Sequence, residues 1–191
     1  MHRVRKSECG LLVSAKVAEN AALQRIRSRI VSELVHREAS LVDIEEIWGL
    51  LRDVAADISL PLASDAEQEF ALTRIMQCLS DERSTVVVGP EKNILGVLLA
   101  QRDLLDLALA KKETINVCVV AVSQTPLRRE VLDLLLKSLT SRGAPVYVGV
   151  SGADSQGLAD ALKENGFAQL QSEDKVDIYK WDPPAPAAKA A

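Results

Sequence analysis

The sequence contains few of the residues from which metal and redox sites are built. Its 191 residues include only three cysteines and two histidines, which are widely spaced: Cys9, Cys78, Cys118, His2 and His36. A structural zinc site needs about four such ligands at short spacings, so we expect no metal cofactor. An odd number of unpaired cysteines is typical of a reducing compartment, and we therefore expect a cytoplasmic protein.

Aromatic residues, nucleotide-binding motifs and long apolar runs are scarce as well. Aromatic residues make up 3% of the chain, too few for a module that stacks nucleic-acid bases, and the net charge is −4. The sequence has no GxGxxG, Walker, GxSxG or HExxH motif. No stretch approaches the ~20 apolar residues that span a bilayer. We therefore expect neither a nucleic acid nor a membrane as a partner.

The composition that remains is typical of one globular domain with extensions. Hydrophobic residues make up 48% of the chain and charged residues 26%. We assign the folded domain to residues 31–181. Residues 1–30 hold seven Lys or Arg against two Glu, which favours a solvated basic arm, while a helix over residues 15–30 and a place in a homodimer interface stay open. Residues 182–191 are rich in Pro and Ala, which predicts disorder.

Capping patterns predict where the first helices begin. The pairs Ser40 with Asp43 and Ser64 with Glu67 have the spacing of a capping box, in which each side chain bonds to the backbone of the other residue. We expect the first helix to end before Pro61. The residues expected to face inward are Ile44, Ile47, Trp48, Leu51, Val54 and Ile58 in the first helix and Phe70, Ala71, Ile75, Cys78 and Leu79 in the second.

Apolar and β-branched runs predict a mixed sheet. The predicted strands cover residues 30–37, 85–88, 94–101, 115–122, 146–150, 168–171 and 176–181. A helix from Pro126 to Arg142 joins the two most apolar strands, a crossover long enough to make them parallel neighbours. Residues 103–113 fit either a hairpin or a helical turn. The predicted fold class is α/β (α+β), with a mixed, mostly antiparallel sheet, one parallel β-α-β pair and flanking helices.

Three stretches carry a resemblance to a known family. Residues 35–48 (VHREASLVDIEEIW) look like an opening strand and helix, residues 117–136 (VCVVAVSQTPLRREVLDLLL) like a core strand, loop and helix, and residues 158–167 (LADALKENGF) like a helix ending in Gly-Phe. Together with the order of elements, they resemble a divergent member of the GNAT superfamily of N-acetyltransferases over residues 31–181. The resemblance implies the acyl-CoA N-acyltransferase fold.

The resemblance also implies where acetyl-CoA binds as co-substrate. In the family, the first of two parting parallel strands offers backbone groups to the pantetheine arm, and a glycine-rich loop at a helix N-terminus holds the pyrophosphate. The matching positions here are Val120 and Val122 on the strand and Arg128, Arg129, Glu130, Val131 and Leu132 at the helix. Because this helix start has no glycine, the two arginines are expected to carry more of the phosphate contact.

The family's catalytic groups have no clear counterparts, so the catalytic residues stay unassigned. The tyrosine that often protonates the leaving thiolate is replaced by Leu162, and the asparagine that often begins the same helix corresponds to about Ser155. The strand that often carries a glutamate base has no acid, although Glu113 precedes it. Cys118, in a predicted buried strand, is interpreted as a small hydrophobe.

Two functions are compatible with these observations. The first is an N-acetyltransferase that passes an acetyl group from acetyl-CoA to a small-molecule or peptide amine, with main-chain groups orienting the thioester and water relaying protons. The second is a GNAT-like binding or assembly module that has lost acyl-CoA chemistry. The frequency of catalysis on this fold favours the first, whereas the missing glycines and tyrosine favour the second.

Overall fold

The chain divides into two compact units, residues 1–34 and 35–191, and a computed structural model describes residues 28–184. Predictions for residues 1–27 and 185–191 lie outside the described residues. These predictions include most of the basic arm and most of the Pro/Ala-rich tail.

The described part of the first unit is helical. Residues 28–32 form a helix, in which the Nε of Arg29 lies 3.4 Å from a carboxylate oxygen of Glu33. The strand predicted to begin at Ile30 therefore begins at Val35. The β-branched residues before Val35 favour a strand only weakly, and here they extend a helix instead.

The second unit is built on one seven-stranded sheet in the order β1-β2-β3-β4-β5-β7-β6. The strands are β1 Val35–Glu38, β2 Thr85–Val88, β3 Ile94–Arg102, β4 Ile115–Val122, β5 Val146–Ser151, β6 Ala168–Glu173 and β7 Val176–Trp181. Neighbouring strands are antiparallel except β4 and β5, which are parallel. The predicted fold class and the predicted parallel pair are therefore confirmed.

Helices connect the strands and begin close to the predicted positions. A short 3-10 turn, Leu41–Asp43, precedes α1 Ile44–Asp53, and the others are α2 Asp65–Ser80, α3 Leu104–Ala110, α4 Arg128–Thr140 and α5 Leu158–Glu164. Both predicted capping boxes are present. The segment left open between a hairpin and a helical turn is the helix α3. Pro126 precedes α4 rather than opening it, because Pro126 and Leu127 form a turn of their own.

The helices α1 and α2 cover one face of the sheet with most of their predicted inward residues. Ala71, Ile75, Cys78 and Leu79 of α2 are buried as expected. Phe70 is not, because it lies about 100° around the helix from Ala71 and is 73% exposed. Trp48 of α1 is only partly buried, with its ring 5.9 Å from the guanidinium carbon of Arg52.

The helix α4 packs on β2 and β3. Gly96 of β3 lies beneath it, where an added Cβ would come within 2.5 Å of a methyl group of Val131. The glycine therefore permits a close helix-to-sheet approach, as its place in a strand predicted. Because α4 crosses over between β4 and β5, this packing fixes where its N-terminus lies relative to the ends of the parallel strands.

An ion pair ties β1 to the turn that follows it. The Arg37 guanidinium donates to both carboxylate oxygens of Asp43 at 2.7 and 2.8 Å, and the backbone N–H of Ser40 donates to one of them at 2.9 Å. These donors lower the pKa of the buried Asp43 carboxyl to about 2, with Arg37 as the largest cause. The pair therefore fixes the entry into the helices that cover the sheet.

Candidate functional site

The two parallel strands part after a short stretch of pairing. Ile115–Val117 of β4 pair with Val146–Val148 of β5, and the pairing then stops although both strands continue. A cavity of about 230 Å³ lies where they separate. Its lining includes Cys118, Val119 and Val120 from β4, Gly149, Val150 and Ser151 from β5, Ile58, Ser59 and Leu60 from the segment after α1, and Asp154, Gln156 and Leu158. This opening is called the strand cleft below.

The open edge of β4 in the strand cleft is bonded to one glutamine side chain. The Val122 N–H donates to Oε1 of Gln156 at 2.7 Å, and Nε2 of Gln156 donates to the Val120 carbonyl at 3.3 Å. Gln156 is 5% exposed, and its own N–H donates to Asp154 at 2.9 Å. The backbone groups predicted to hold a pantetheine amide are therefore already bonded to an amide of the protein.

The sequence analysis did not identify Gln156 as a residue of the site. The helix-start position was assigned to about Ser155, which is exposed, whereas the next residue, Gln156, is the one that points into the strand cleft. The glycine after it, Gly157, adopts a φ of 76° and caps α5 without a side-chain bond. A shift of one residue in a loop decides which side chain reaches β4, and no helical or strand periodicity fixes that register.

The arginines at the start of α4 already face carboxylates. Arg128 lies 3.4 Å from Asp57, and Arg129 forms an ion pair with Glu164 and lies 3.6 Å from Asp133. Each cation is thus partly neutralised, and any phosphate near this helix start competes with these carboxylates.

The other three positions predicted to bind cofactor at this helix differ in burial. Val131 and Leu132 are fully buried, so only their backbone groups could face a ligand. Glu130 is half-buried on the first turn of α4. Negative charge therefore stands close to the place where a diphosphate would lie.

A second cavity adjoins β4 beside the helices α1 and α2. It measures about 630 Å³, and α1, the segment after it, α2 and the strands β3 and β4 line it: Leu51, Leu60, Pro61, Ala66, Glu67, Phe70, Ala71, Arg74, Ile75, Leu99, Cys118 and Val119. This apolar pocket explains the exposed Phe70, whose ring belongs to its wall. It shares Leu60, Cys118 and Val119 with the strand cleft.

Two cysteines from distant parts of the sequence meet between α2 and β4. The neighbouring Cys78 thiol is the largest cause that brings the pKa of Cys118 down to about 7; the Arg74 guanidinium acts in the same direction, and burial opposes both. The Cys118 sulfur itself donates a hydrogen bond to the Asn116 carbonyl at 3.9 Å. The neighbouring Cys118 raises the pKa of Cys78. Cys118 packs against the hydrophobic core, as a small hydrophobe does, but it is only half-buried and also lines both cavities.

The predicted positions for acid and base supply no catalytic side chain. Leu162 is fully buried, and Glu113 forms an ion pair with Arg83 at 2.7 Å before β4 begins, at the end remote from the strand cleft. Asp154 is the one carboxylate among the described residues that line the cleft, and its Oδ2 is buried without a hydrogen-bond partner among them. Within residues 28–184, no group of three His, Cys, Asp or Glu side chains could hold a metal ion.

Comparison with solved structures identifies the fold. The PaiA N-acetyltransferase of Thermoplasma acidophilum, solved in complex with coenzyme A, matches with a TM-score of 0.57 at 13% identity, covering 78% of this chain and 98% of that one. A polyamine N-acetyltransferase of Drosophila melanogaster, which forms N-acetylagmatine, matches with a TM-score of 0.56 at 12% identity, covering 78% and 99%. Arylalkylamine N-acetyltransferase 2 of Aedes aegypti matches with a TM-score of 0.55 at 10% identity, covering 78% and 98%.

The chain therefore has the acyl-CoA N-acyltransferase fold of GNAT acetyltransferases, with a strongly diverged sequence. No protein-family model matches the chain, and no curated protein matches it. In the part of the chain that the structure describes, no helix is long and apolar enough to cross a membrane.

Proposed function

We propose that the protein is an acyl-CoA-dependent N-acyltransferase that transfers an acetyl or similar short acyl group to a small amine. The observation that carries the proposal is the separation of β4 from β5 after three paired positions, which leaves backbone groups facing a cavity at the carboxyl ends of parallel strands. Solved proteins of the same fold include a complex with coenzyme A.

The donor would lie along the strand cleft and the start of α4. Val120 and Val122 offer one acceptor and one donor to an amide, as their bonds to Gln156 demonstrate. Arg128 and Arg129, with the N-terminal turn that includes Glu130, Val131 and Leu132, would face the phosphates. The ligand must displace Gln156 from β4 and the carboxylates that pair with Arg128 and Arg129. We therefore propose that acetyl-CoA binds more weakly here than it would to a glycine-rich loop.

The acceptor would occupy the apolar pocket. Its volume of about 630 Å³ and the exposed ring of Phe70 suit an amine with an apolar body. Asp154 lines the strand cleft and not the apolar pocket, and its Oδ2 has no partner among the described residues, so it is the proposed proton acceptor for an amine that reaches from the pocket toward a thioester in the cleft. Proteins of this fold that act on agmatine and arylalkylamines support a small amine as the acceptor class.

Calorimetric titration of acetyl-CoA tests the donor site. We expect saturable binding by the wild type and at least about tenfold weaker binding by the Arg128→Ala/Arg129→Ala variant, since each charge-assisted contact contributes about 1.5–3 kcal/mol. Arg83→Ala is the matched control, because it removes an Arg–carboxylate pair remote from the cleft. If the wild type, the double variant and Arg83→Ala bind acetyl-CoA equally well, the phosphates do not lie at the start of α4.

A second candidate function is a non-catalytic binding or assembly module. The bonds from Gln156 to β4 favour it, because they close the edge that a pantetheine amide would use. No binding of acetyl-CoA at millimolar concentration to folded wild-type protein would favour this function over the transferase.

A further inference from the structure

The segment after α1 is bonded to both of the elements that part at the strand cleft. Residues 54–60, called the cleft strap below, form successive turns and line part of the cleft. The Asp57 carboxylate accepts a hydrogen bond at 3.4 Å from Arg128, at the start of α4, and the Ser59 hydroxyl accepts one at 3.4 Å from Ser151, at the end of β5. Ser59 has a φ of 55°, which residues with a Cβ rarely adopt, so these contacts hold a conformation that is unfavourable by itself.

Two groups of the protein occupy the proposed donor site in place of the donor. Arg128 is a proposed phosphate contact, and a guanidinium binds carboxylate and phosphate oxygens in the same way, so Asp57 resembles a phosphate at this position. Gln156 resembles a pantetheine amide, because its side-chain amide bonds to the N–H of Val122 and the carbonyl of Val120. The two parts of the proposed site are therefore both closed by groups that are chemically similar to the ligand.

One backbone hydrogen bond joins these two groups. The Ser155 N–H donates to the carbonyl of Asp57 at 3.1 Å, and Ser155 directly precedes Gln156 in the chain. Asp57 and Gln156 are therefore one hydrogen bond and one residue apart, although α2, α4 and five strands lie between them in the sequence. If Asp57 moves away from Arg128, the carbonyl that holds Ser155 moves with it. The position of Gln156 on β4 then loses part of its support.

We propose that Asp57 and Gln156 form one latch on the donor site, whose two contacts open together. A phosphate that takes Arg128 from Asp57 removes the anchor of the cleft strap, the bond to Ser155 weakens, and Gln156 leaves the edge of β4 to the pantetheine amide. Asp57 is thus a positioning residue that acts on this edge through Ser155. The coupling is reciprocal, so an amide that displaces Gln156 also frees Arg128. The inference rests on the proposed function for the identity of the donor.

Hydrogen exchange of the free protein tests the coupling without any ligand. Asp57→Asn and Asp57→Ala remove the anion but keep the backbone carbonyl that accepts from Ser155. We expect the Val122 amide, followed by NMR, to exchange at least about fivefold faster in both variants than in the wild type, because Gln156 then leaves β4 more often. Glu164→Gln is the matched control, since it removes the carboxylate paired with Arg129 at the same helix start and lies outside the cleft strap. It should leave exchange at Val122 unchanged.

Pantetheine, which has the amides of the donor but no phosphate, tests the effect of the latch on the site. We expect Asp57→Asn to bind pantetheine at least about threefold more tightly than the wild type in a calorimetric titration, because a larger fraction of the variant has the edge of β4 open. Glu164→Gln should bind pantetheine as the wild type does. Equal binding by Asp57→Asn and the wild type would mean that Asp57 competes with phosphate alone, and it would overturn the latch.

The two measurements separate failure of this inference from failure of the proposed function. Unchanged exchange at Val122 in both Asp57 variants overturns the latch whether or not acetyl-CoA binds. Exchange that rises equally at Val122 and throughout β2 and β3 reports a general loss of stability and overturns the latch as well. Faster exchange at Val122 without binding of acetyl-CoA or pantetheine supports the coupling of the two contacts and contradicts the proposed donor.

Discussion

Replacing Gln156 with alanine should destabilise the free protein and strengthen its binding of acetyl-CoA. The side chain bonds to two backbone groups of β4, the Val122 N–H at 2.7 Å and the Val120 carbonyl at 3.3 Å. Both residues are almost fully buried, at 0% and 5% exposure. A buried backbone group without a partner costs about 1–3 kcal/mol, and water in the adjoining cavity recovers part of this. We expect a loss of about 2–4 kcal/mol in the free energy of unfolding.

The effect on binding has the opposite sign because the same groups are proposed to hold the ligand. In the wild type an incoming amide must first displace Gln156, whereas in the variant Val120 and Val122 are free to bond. We expect the affinity for acetyl-CoA to rise about tenfold, which is about 1.4 kcal/mol. Urea melts measure the stability, and calorimetric titration measures the affinity.

Gln171→Ala on β6 is the matched control, because Gln171 is an exposed glutamine remote from the strand cleft. Gln171→Ala should change neither the free energy of unfolding nor the free energy of acetyl-CoA binding by more than about 0.5 kcal/mol. Weaker binding of acetyl-CoA by Gln156→Ala would refute the competition, since Gln156 would then be a ligand contact. If Gln156→Ala is as stable as the wild type, the claim that its two hydrogen bonds stabilise the fold is wrong.

Three further predictions concern the fold and the cysteine pair. Asp43→Asn should lower the free energy of unfolding by about 2 kcal/mol at pH 7. Because folding lowers the pKa of Asp43 to about 2, the wild type keeps this extra stability above pH 4 and loses it as the pH falls toward 2. Urea melts of both proteins across this pH range measure the difference. Gly96→Ala should cost about 1–3 kcal/mol by forcing α4 from the sheet, whereas Gly49→Ala, where an added Cβ meets nothing within 4 Å, should cost nothing in the same melts. Arg74→Gln should raise the pKa of Cys118 and slow its alkylation by iodoacetamide at pH 7, and an unchanged rate would contradict the role of that charge.

Local patterns in the sequence predicted most of the architecture. The capping boxes at Ser40 and Ser64 mark helix starts by short-range hydrogen bonds, so they are legible without a tertiary structure. The apolar runs of β4 and β5 with a helix between them predict a parallel pair, because the crossover leaves few alternatives. Two of the misplaced features, the start of β1 and the burial of Phe70, depend on packing that local propensity does not determine.

The candidate site was less predictable because it depends on long-range contacts. Cys78 and Cys118 are 40 residues apart, and only the folded positions of α2 and β4 bring both into the same part of the core. The bulge at Cys118 is a matter of register between β3 and β4, which the apolar run does not reveal. Gln156 reaches β4 through a loop without periodicity. In each case the sequence contained the residue type but not the geometry that gives it a role.

The central claim is that an acyl-CoA binds where β4 and β5 part. Its most direct test is a two-dimensional NMR titration of the wild-type chain, in which backbone amide shifts are followed as acetyl-CoA is added. The account predicts saturable shifts that are largest at residues 118–122 of β4, residues 149–151 of β5 and the start of α4. Shifts confined to other parts of the chain, or no shifts at millimolar acetyl-CoA, would contradict it.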